Sequence, residues 1–237
     1  MSTKHIHAQA VPEGAGVTVK RLMPIHGLRN FDPFVLWDHF DIEDGGFPDH
    51  PHRGFEAITW LFTGGMRHKD NLGNEGTIHA DGAQRFTAGH GIVHSEFPDG
   101  LASGIQLWIN LPKRLKSMPP SYQQIDVIEP ESFEGAEIRT IVGKHGAVTL
   151  QTAVEYMDIR LAAGATFTRT IPASFRGIVY VVSGGIKAGN QQVMQAGALL
   201  VEDEASLSIV AKDATHILWC FGLPHSEPII QHGPFVD

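Results

Sequence analysis

Two passages of this chain are written to one plan, and that duplication constrains the fold more than any other feature. Thr63-Gly64-Gly65 and Ser183-Gly184-Gly185 each follow a β-branched and aromatic run, FEAITWLF in one case and GIVYVV in the other. Each is followed by a turn-rich segment, HKDNLGNEG or KAGNQQ, and then by a glycine-marked turn, ADGA or QAGA. INLP and FGLP close the two passages after Trp108 and Trp219. Short apolar runs between Gly, Pro, Asp and Asn recur elsewhere (EIRTIVG, SLSIVA), and no long helical periodicity competes with them. Such runs predict an all-β antiparallel sandwich or barrel, and the duplication predicts that one β unit is built twice. The Pro-Pro pair in SMPPSYQQID, 117–126, reads as a surface linker, dividing the chain into 1–125 and 126–237. With 237 residues and 42% hydrophobic content, there is material for two cores.

The chemistry-bearing residues are unevenly shared between the copies. Seven of the 14 histidines (His39, His50, His52, His68, His79, His90 and His94) fall between residues 39 and 94. In HPHRGFEAITW, His50 and His52 stand at spacing two, which puts both imidazoles on one face of a strand. His94 and Glu96 repeat that spacing in DGAQRFTAGHGIVHSEFP. Three imidazoles and a carboxylate from two strands are a plausible set of donors for a divalent transition metal. Glu56 rivals Glu96, since it shares strand parity with His50 and His52; it could instead accept a bond from a ligand imidazole. The Gly64 and Gly184 pairs set an offset of 120, which maps positions 50, 52 and 56 onto Thr170, Pro172 and Arg176. None of those three could form the same site, so the second copy is expected to carry the fold without the metal.

Charge excludes one class of partner. Asp plus Glu number 26 against 18 Lys plus Arg, a formal charge of -8, which argues against direct nucleic-acid binding. The apolar runs are too short to cross a bilayer as helices, and the lone Cys220 in HILWCFGLP is expected to be a buried, inert thiol. Both points predict a cytoplasmic protein, or a nuclear one in a eukaryote. Lys113, Arg114 and Lys116 form a basic cluster that could dock an acidic protein partner.

The HxHxxxE pattern with a later GxxH resembles the paired motifs of the cupin superfamily. FDPFVLWDHF, FPDHPHRGFE, HKDNLGNEGTI, TAGHGIVHSE, IQLWINLPKRLKSMPPSYQ and EPIIQHGPFV together resemble the pirin family. The resemblance implies a bicupin, two tandem antiparallel β-barrels of jelly-roll type, with one metal ion held in the N-terminal domain by His50, His52, His94 and Glu96, with Glu56 nearby. His90 stands where many relatives carry Arg, and so becomes a candidate neighbour of the site. Pirins are similar to quercetin 2,3-dioxygenases, and a mammalian relative is an iron-dependent transcriptional co-regulator. The implied function is therefore oxygen-dependent cleavage of a flavonol, with a metal-dependent, redox-sensing regulatory protein that binds a protein partner as the alternative.

The donor set gives the first reading a mechanism. Three neutral imidazoles and one carboxylate leave a six-coordinate divalent ion at a net charge of about +1 with about two open positions, enough for a bidentate substrate. Fe(II) is the expected ion, and Ni, Cu, Mn, Co or Zn could take the same ligands. A flavonol would chelate through its 3-hydroxyl and 4-carbonyl, Glu96 or Glu56 would accept the hydroxyl proton, and the electron-rich product would meet dioxygen. Phe55, Ile58, Trp60, Phe86 and Trp108 could form an apolar wall, although ordinary core packing is the favoured reading of each one.

Overall fold

The computed structural model describes residues 2–237, and among them there is no α-helix; the single helical turn is a 3-10 turn at Lys113–Leu115. The expected all-β architecture is present as two compact units, and each is assembled from stretches distant in sequence. One comprises Gln9–Ile128 with Leu150–Thr152 and His225–Asp237. The other is built on Glu129–Thr149 and Ala153–Pro224, and the N-terminal strand Ser2–His7 joins it by pairing with Gly197–Glu202. The halves 1–125 and 126–237 therefore describe most of each unit but not all of it.

In the first unit the strands lie in the order Ser121–Ile125, Ala83–Thr87, Phe55–Asp70, Ile92–Asn110, Phe34–Ile42, Val17–Met23 and Gln9–Glu13. Phe47–His52 adds to the early part of Ile92–Asn110, and Glu75–His79 to the late part of Phe55–Asp70. The ladder stays open rather than closing into a ring, so this is a jelly roll and not a sealed barrel. The repeated glycines are where the long strands bend. Gly64 has a φ of 76°, its register shifts there, and a Cβ would lie 1.4 Å from Leu101 O, so no other residue fits.

Directly paired residues share a face, so the inner surface can be read across the ladder. Arg21, Asp38, Gln106, Thr59, Gln84 and Gln124 stand on one continuous rung. Above and below it are apolar residues: Phe55, Ala57, Phe86 and Trp108 on one side, Phe40, Leu61 and Val19 on the other.

The second unit has strands in the order Ser2–His7, Gly197–Glu202, Arg176–Ser183, Thr215–Gly222, Val154–Leu161, Ala136–Val142 and Glu131–Phe133, with a smaller sheet of Thr166–Thr170, Ser206–Ala211, Gly185–Ala188 and Gln191–Met194. Met157, Val179, Leu199, Ile209 and Trp219 are among the residues that fill its core. Cys220 is buried, and burial raises its thiol well above the usual range, as expected of an inert cysteine.

Candidate metal centre

Strand pairing assembles the histidines. His94, in Ile92–Asn110, lies opposite His50 on one side and opposite Asp70 on the other. Two residues on, Glu96 is flanked by Phe47 and His68. The period of two keeps all these polar side chains on one face. His50, His52 and His94 offer ring nitrogens within 4.8 Å of one another, and His68, His94 and Glu96 form a second such group that shares His94. Glu96 Oε2 lies 3.9 Å from His94 Nε2. Of the four predicted ligands, His50, His52 and His94 thus form one group, and Glu96 lies beside His94 in the other.

Each imidazole has its Nδ1 engaged. His50 Nδ1 is 2.7 Å from Pro48 O, and His52 Nδ1 is 3.4 Å from Pro234 O. A carbonyl only accepts, so each ring donates there and turns a bare Nε2 inward. His94 Nδ1 is 3.4 Å from His68 Nδ1, and its buried Nε2 has no hydrogen-bond partner. A buried polar atom left unpaired is expensive in a folded protein unless something else takes its lone pair. Burial lowers the pKa of His50; burial and then His50 bring that of His52 down to about 3; burial and then the neighbouring imidazoles hold His94 well below its usual value. All three are neutral at physiological pH, the form a metal requires.

Glu96 is buried and gripped from the rung beneath it. Its Oε1 accepts from Gln84 Nε2 in a short bond and from Thr59 Oγ1 at 3.2 Å. Gln84 is fixed in turn by Tyr122, whose hydroxyl donates to Gln84 Oε1 at 3.1 Å. Burial raises the Glu96 carboxyl to about 7, against the lowering effect of those bonds. A cavity of ≈ 530 Å³ opens beside His50, His52 and Glu96 and has Gln106 and Trp108 in its wall. That is within the usual size range for small-molecule sites. Arg21 also faces it, clamped by Asp38 through paired bonds of 2.8 and 2.6 Å and by Glu13 at 2.5 Å.

Other expected residues lie elsewhere. Glu56 belongs to the opposite face, because Gly54, at a φ of 86°, interrupts the strand after His52 and resets the alternation. Its oxygens accept from Thr87 Oγ1 and Gln151 N, each at 2.8 Å. His90 is exposed, in the turn after Ala83–Thr87, and its backbone N–H donates to Met118 O. Of the proposed aromatic wall, Phe55, Phe86 and Trp108 surround the His52 ring at 4.9–5.4 Å between centroids, whereas Ile58 and Trp60 have the parity of Glu56. The expected linker is in part a strand: Ser121–Ile125 pairs with Ala83–Thr87 and delivers Tyr122 to Gln84. Lys116 is not a docking residue, since its ammonium donates to Gly54 O, Asn110 Oδ1 and Val236 O, while Lys113 and Arg114 remain exposed.

Sequence reasoning missed Thr59, Gln84, Tyr122, His68 and Asp70. A signal existed for the last two, because HKD has the same spacing of two as the ligand pairs.

Comparison with known proteins agrees with the architecture. A family model described as Pirin matches residues 16–109, and one described as Pirin C-terminal cupin domain matches residues 156–237. A Pseudomonas aeruginosa protein provisionally named a quercetin 2,3-dioxygenase is 36% identical over 94% of this chain and 87% of its own length. Human pirin is 37% identical over 94% of this chain and 83% of its own. A solved structure of quercetin 2,3-dioxygenase from Acinetobacter baumannii superimposes with a TM-score of 0.90 at 30% identity, covering 98% of this chain and 90% of that one. The two units are therefore two cupin domains.

Proposed function

The chain belongs to the pirin family, and from that premise we propose that its first unit is a mononuclear metal centre that cleaves flavonols with dioxygen, as a quercetin 2,3-dioxygenase does. The ligands in this reading are His50, His52 and His94 through Nε2 and Glu96 through Oε2. The observation that carries it is the buried, unpartnered His94 Nε2, set among two more imidazoles and a carboxylate beside a cavity. These residues fit a divalent ion by donor type, by their neutral imidazoles and by the open side toward the cavity. Fe(II) suits mixed nitrogen and oxygen donors, and Ni, Cu, Mn, Co or Zn would compete for them.

The chemistry a bound ion would supply is Lewis acidity toward the 3-hydroxyl and 4-carbonyl oxygens of the substrate. The protein's own residues do the rest. Glu96 Oε2 faces the cluster while Oε1 is held by Gln84 and Thr59, so one oxygen is placed to take the hydroxyl proton. Trp108 in the cavity wall offers an apolar surface to an aromatic ring.

Incubating the iron-loaded protein with quercetin in air should consume about one dioxygen per flavonol if cleavage occurs at a mononuclear site. No uptake above a metal-free control with Fe, Mn, Ni, Co, Cu or Zn would remove this activity. The remaining reading would then be a metal-dependent regulatory protein that binds a protein partner.

A further inference from the structure

His94 differs from the other two imidazoles in what orients it. His50 and His52 each face a backbone carbonyl, which can only accept a hydrogen bond, so their tautomers are fixed by covalent structure. His94 faces another histidine. His68 could accept from His94 Nδ1 or donate to it, and the two cases are opposite for His94: the first leaves Nε2 bare, the second puts the proton on Nε2 and blocks it.

Asp70 resolves the choice. Its Oδ2 is 3.1 Å from His68 Nε2, and both side chains are fully buried. Asp70 Oδ1 accepts from the backbone N–H groups of Leu72 at 2.9 Å and Asn74 at 3.0 Å, and the Asn74 amide donates to both oxygens. A carboxylate with this set of donors is an acceptor toward His68 as well, so His68 carries its proton on Nε2 and its Nδ1 is an acceptor. His94 then donates from Nδ1. Tyr122 stacks on the His68 ring at 4.3 Å between centroids and keeps it in plane for both bonds.

We propose that Asp70 and His68 are positioning residues that act in series to hold His94 in the tautomer with a bare Nε2, an inference that rests on reading His94 as a metal ligand. No other imidazole of the cluster needs such a chain, because no other is oriented by a group able to play both roles.

Asp70→Asn inverts the chain at constant side-chain size. The two backbone donors require the amide oxygen at the Oδ1 position, so the NH₂ must take the Oδ2 position and donate to His68 Nε2, and the Asn74 amide, which donates to Oδ2 in the wild type, turns its oxygen toward that NH₂. His68 then presents a proton to His94 Nδ1, and the His94 proton moves to Nε2. On the metal-free full-length chain, ¹⁵N–¹H correlation spectra should show His94 protonated at Nδ1 in the wild type and at Nε2 in Asp70→Asn. Ni(II) affinity should fall roughly 10- to 100-fold, the range for partners that orient metal ligands. His68→Leu removes the orienting nitrogen without supplying a wrong one, so it should give both His94 tautomers and lose less affinity than Asp70→Asn. This variant also serves if Asp70→Asn does not fold. The proposal is overturned if His94 keeps a single Nδ1-protonated tautomer in both variants, or if Asp70→Asn binds Ni(II) as tightly as the wild type. His94→Ala separates the two layers: metal retention by that variant removes the ligand assignment itself, while the spectra still report whether Asp70 sets the tautomer.

Discussion

The same rung of the same ladder is polar in one unit and apolar in the other. Thr59 lies opposite Gln106 and Gln84, and Asp38 and Arg21 continue the row. The offset of 120 carries Thr59 to Val179, which lies opposite Trp219 and Leu199, with Met157 and Thr140 continuing the row. Backbone pairing is thus conserved between two quite different interiors. The ladder is stabilised by its own hydrogen bonds and tolerates either filling, provided each polar side chain finds a partner. In the first unit those partners converge on Glu96; in the second, Val179, Leu199 and Trp219 are fully buried among hydrocarbon. The register also separates two tryptophans that the sequence pattern aligns. Trp108 faces Ala57, whose counterpart Gly177 faces Phe221, so Trp219 holds the place of Gln106.

The largest effect that tests this contrast is the loss of metal. His52→Ala should lower affinity by more than about 100-fold, since groups that only orient ligands are worth roughly 10- to 100-fold. The fold should survive, because the second unit builds the same ladder with Thr170 and Pro172 at the matching positions. Metal analysis and circular dichroism on one preparation check both halves. Two ions per wild-type chain would break the contrast outright, since the second unit would then hold a site its interior does not offer.

A smaller effect is expected from exchanging the central rung residue. Thr59→Val removes a hydroxyl whose one proton serves Gln106 Oε1 at 2.6 Å or Glu96 Oε1 at 3.2 Å and whose oxygen accepts from Gln84 Nε2 at 3.2 Å, and it leaves those groups short of a partner. Val179→Thr places a hydroxyl among the apolar residues of the second core. Each should destabilise the protein by about 1–3 kcal/mol in denaturant titrations, although the two side chains are nearly the same shape. If either exchange is neutral, the rung is a filling of convenience and not a matched network.

How much of this was legible beforehand follows from the range of each signal. The all-β class, the duplication, the grouping of His50, His52 and His94 and the placing of Glu96 beside His94 rest on short-range patterns: alternation, glycine turns and spacing two. Glu56 was misplaced by the same rule, because one left-handed residue, Gly54, flips every side chain beyond it, and strand parity cannot be carried across such a break. Thr59, Gln84 and Tyr122 come from three strands and meet only through register, which local sequence does not encode. Tyr122 was doubly hidden, since the neighbouring Pro-Pro pair reads as linker although the next residues form a strand. Ser2–His7 and His225–Asp237, each grouped with residues distant in sequence, were out of reach for the same reason.

The smallest expected effect is a proton count. Glu96 is raised to about 7 in the metal-free protein, from an ordinary value of 4.5, because burial outweighs the bonds from Thr59 and Gln84. A raised carboxyl binds its proton more tightly folded than unfolded. Its contribution to stability is therefore complete below 4.5 and is lost as the pH rises through about 7. His52, depressed to about 3, behaves in the opposite sense: its contribution is present above 6.5 and is lost as the pH falls toward 3. In the pH range between, His52 is already neutral, and Glu96 still carries a proton that an incoming ion must displace. Metal binding should release about one proton per chain near pH 6 and almost none near pH 8, measured by calorimetry in buffers of different ionisation enthalpy. Thr59→Val takes away one of the two bonds that oppose burial, so the release should persist to higher pH in that variant. Equal release at both pH values in the wild type would mean that Glu96 is not the carboxylate the ion meets, and the polar rung would lose its link to the site.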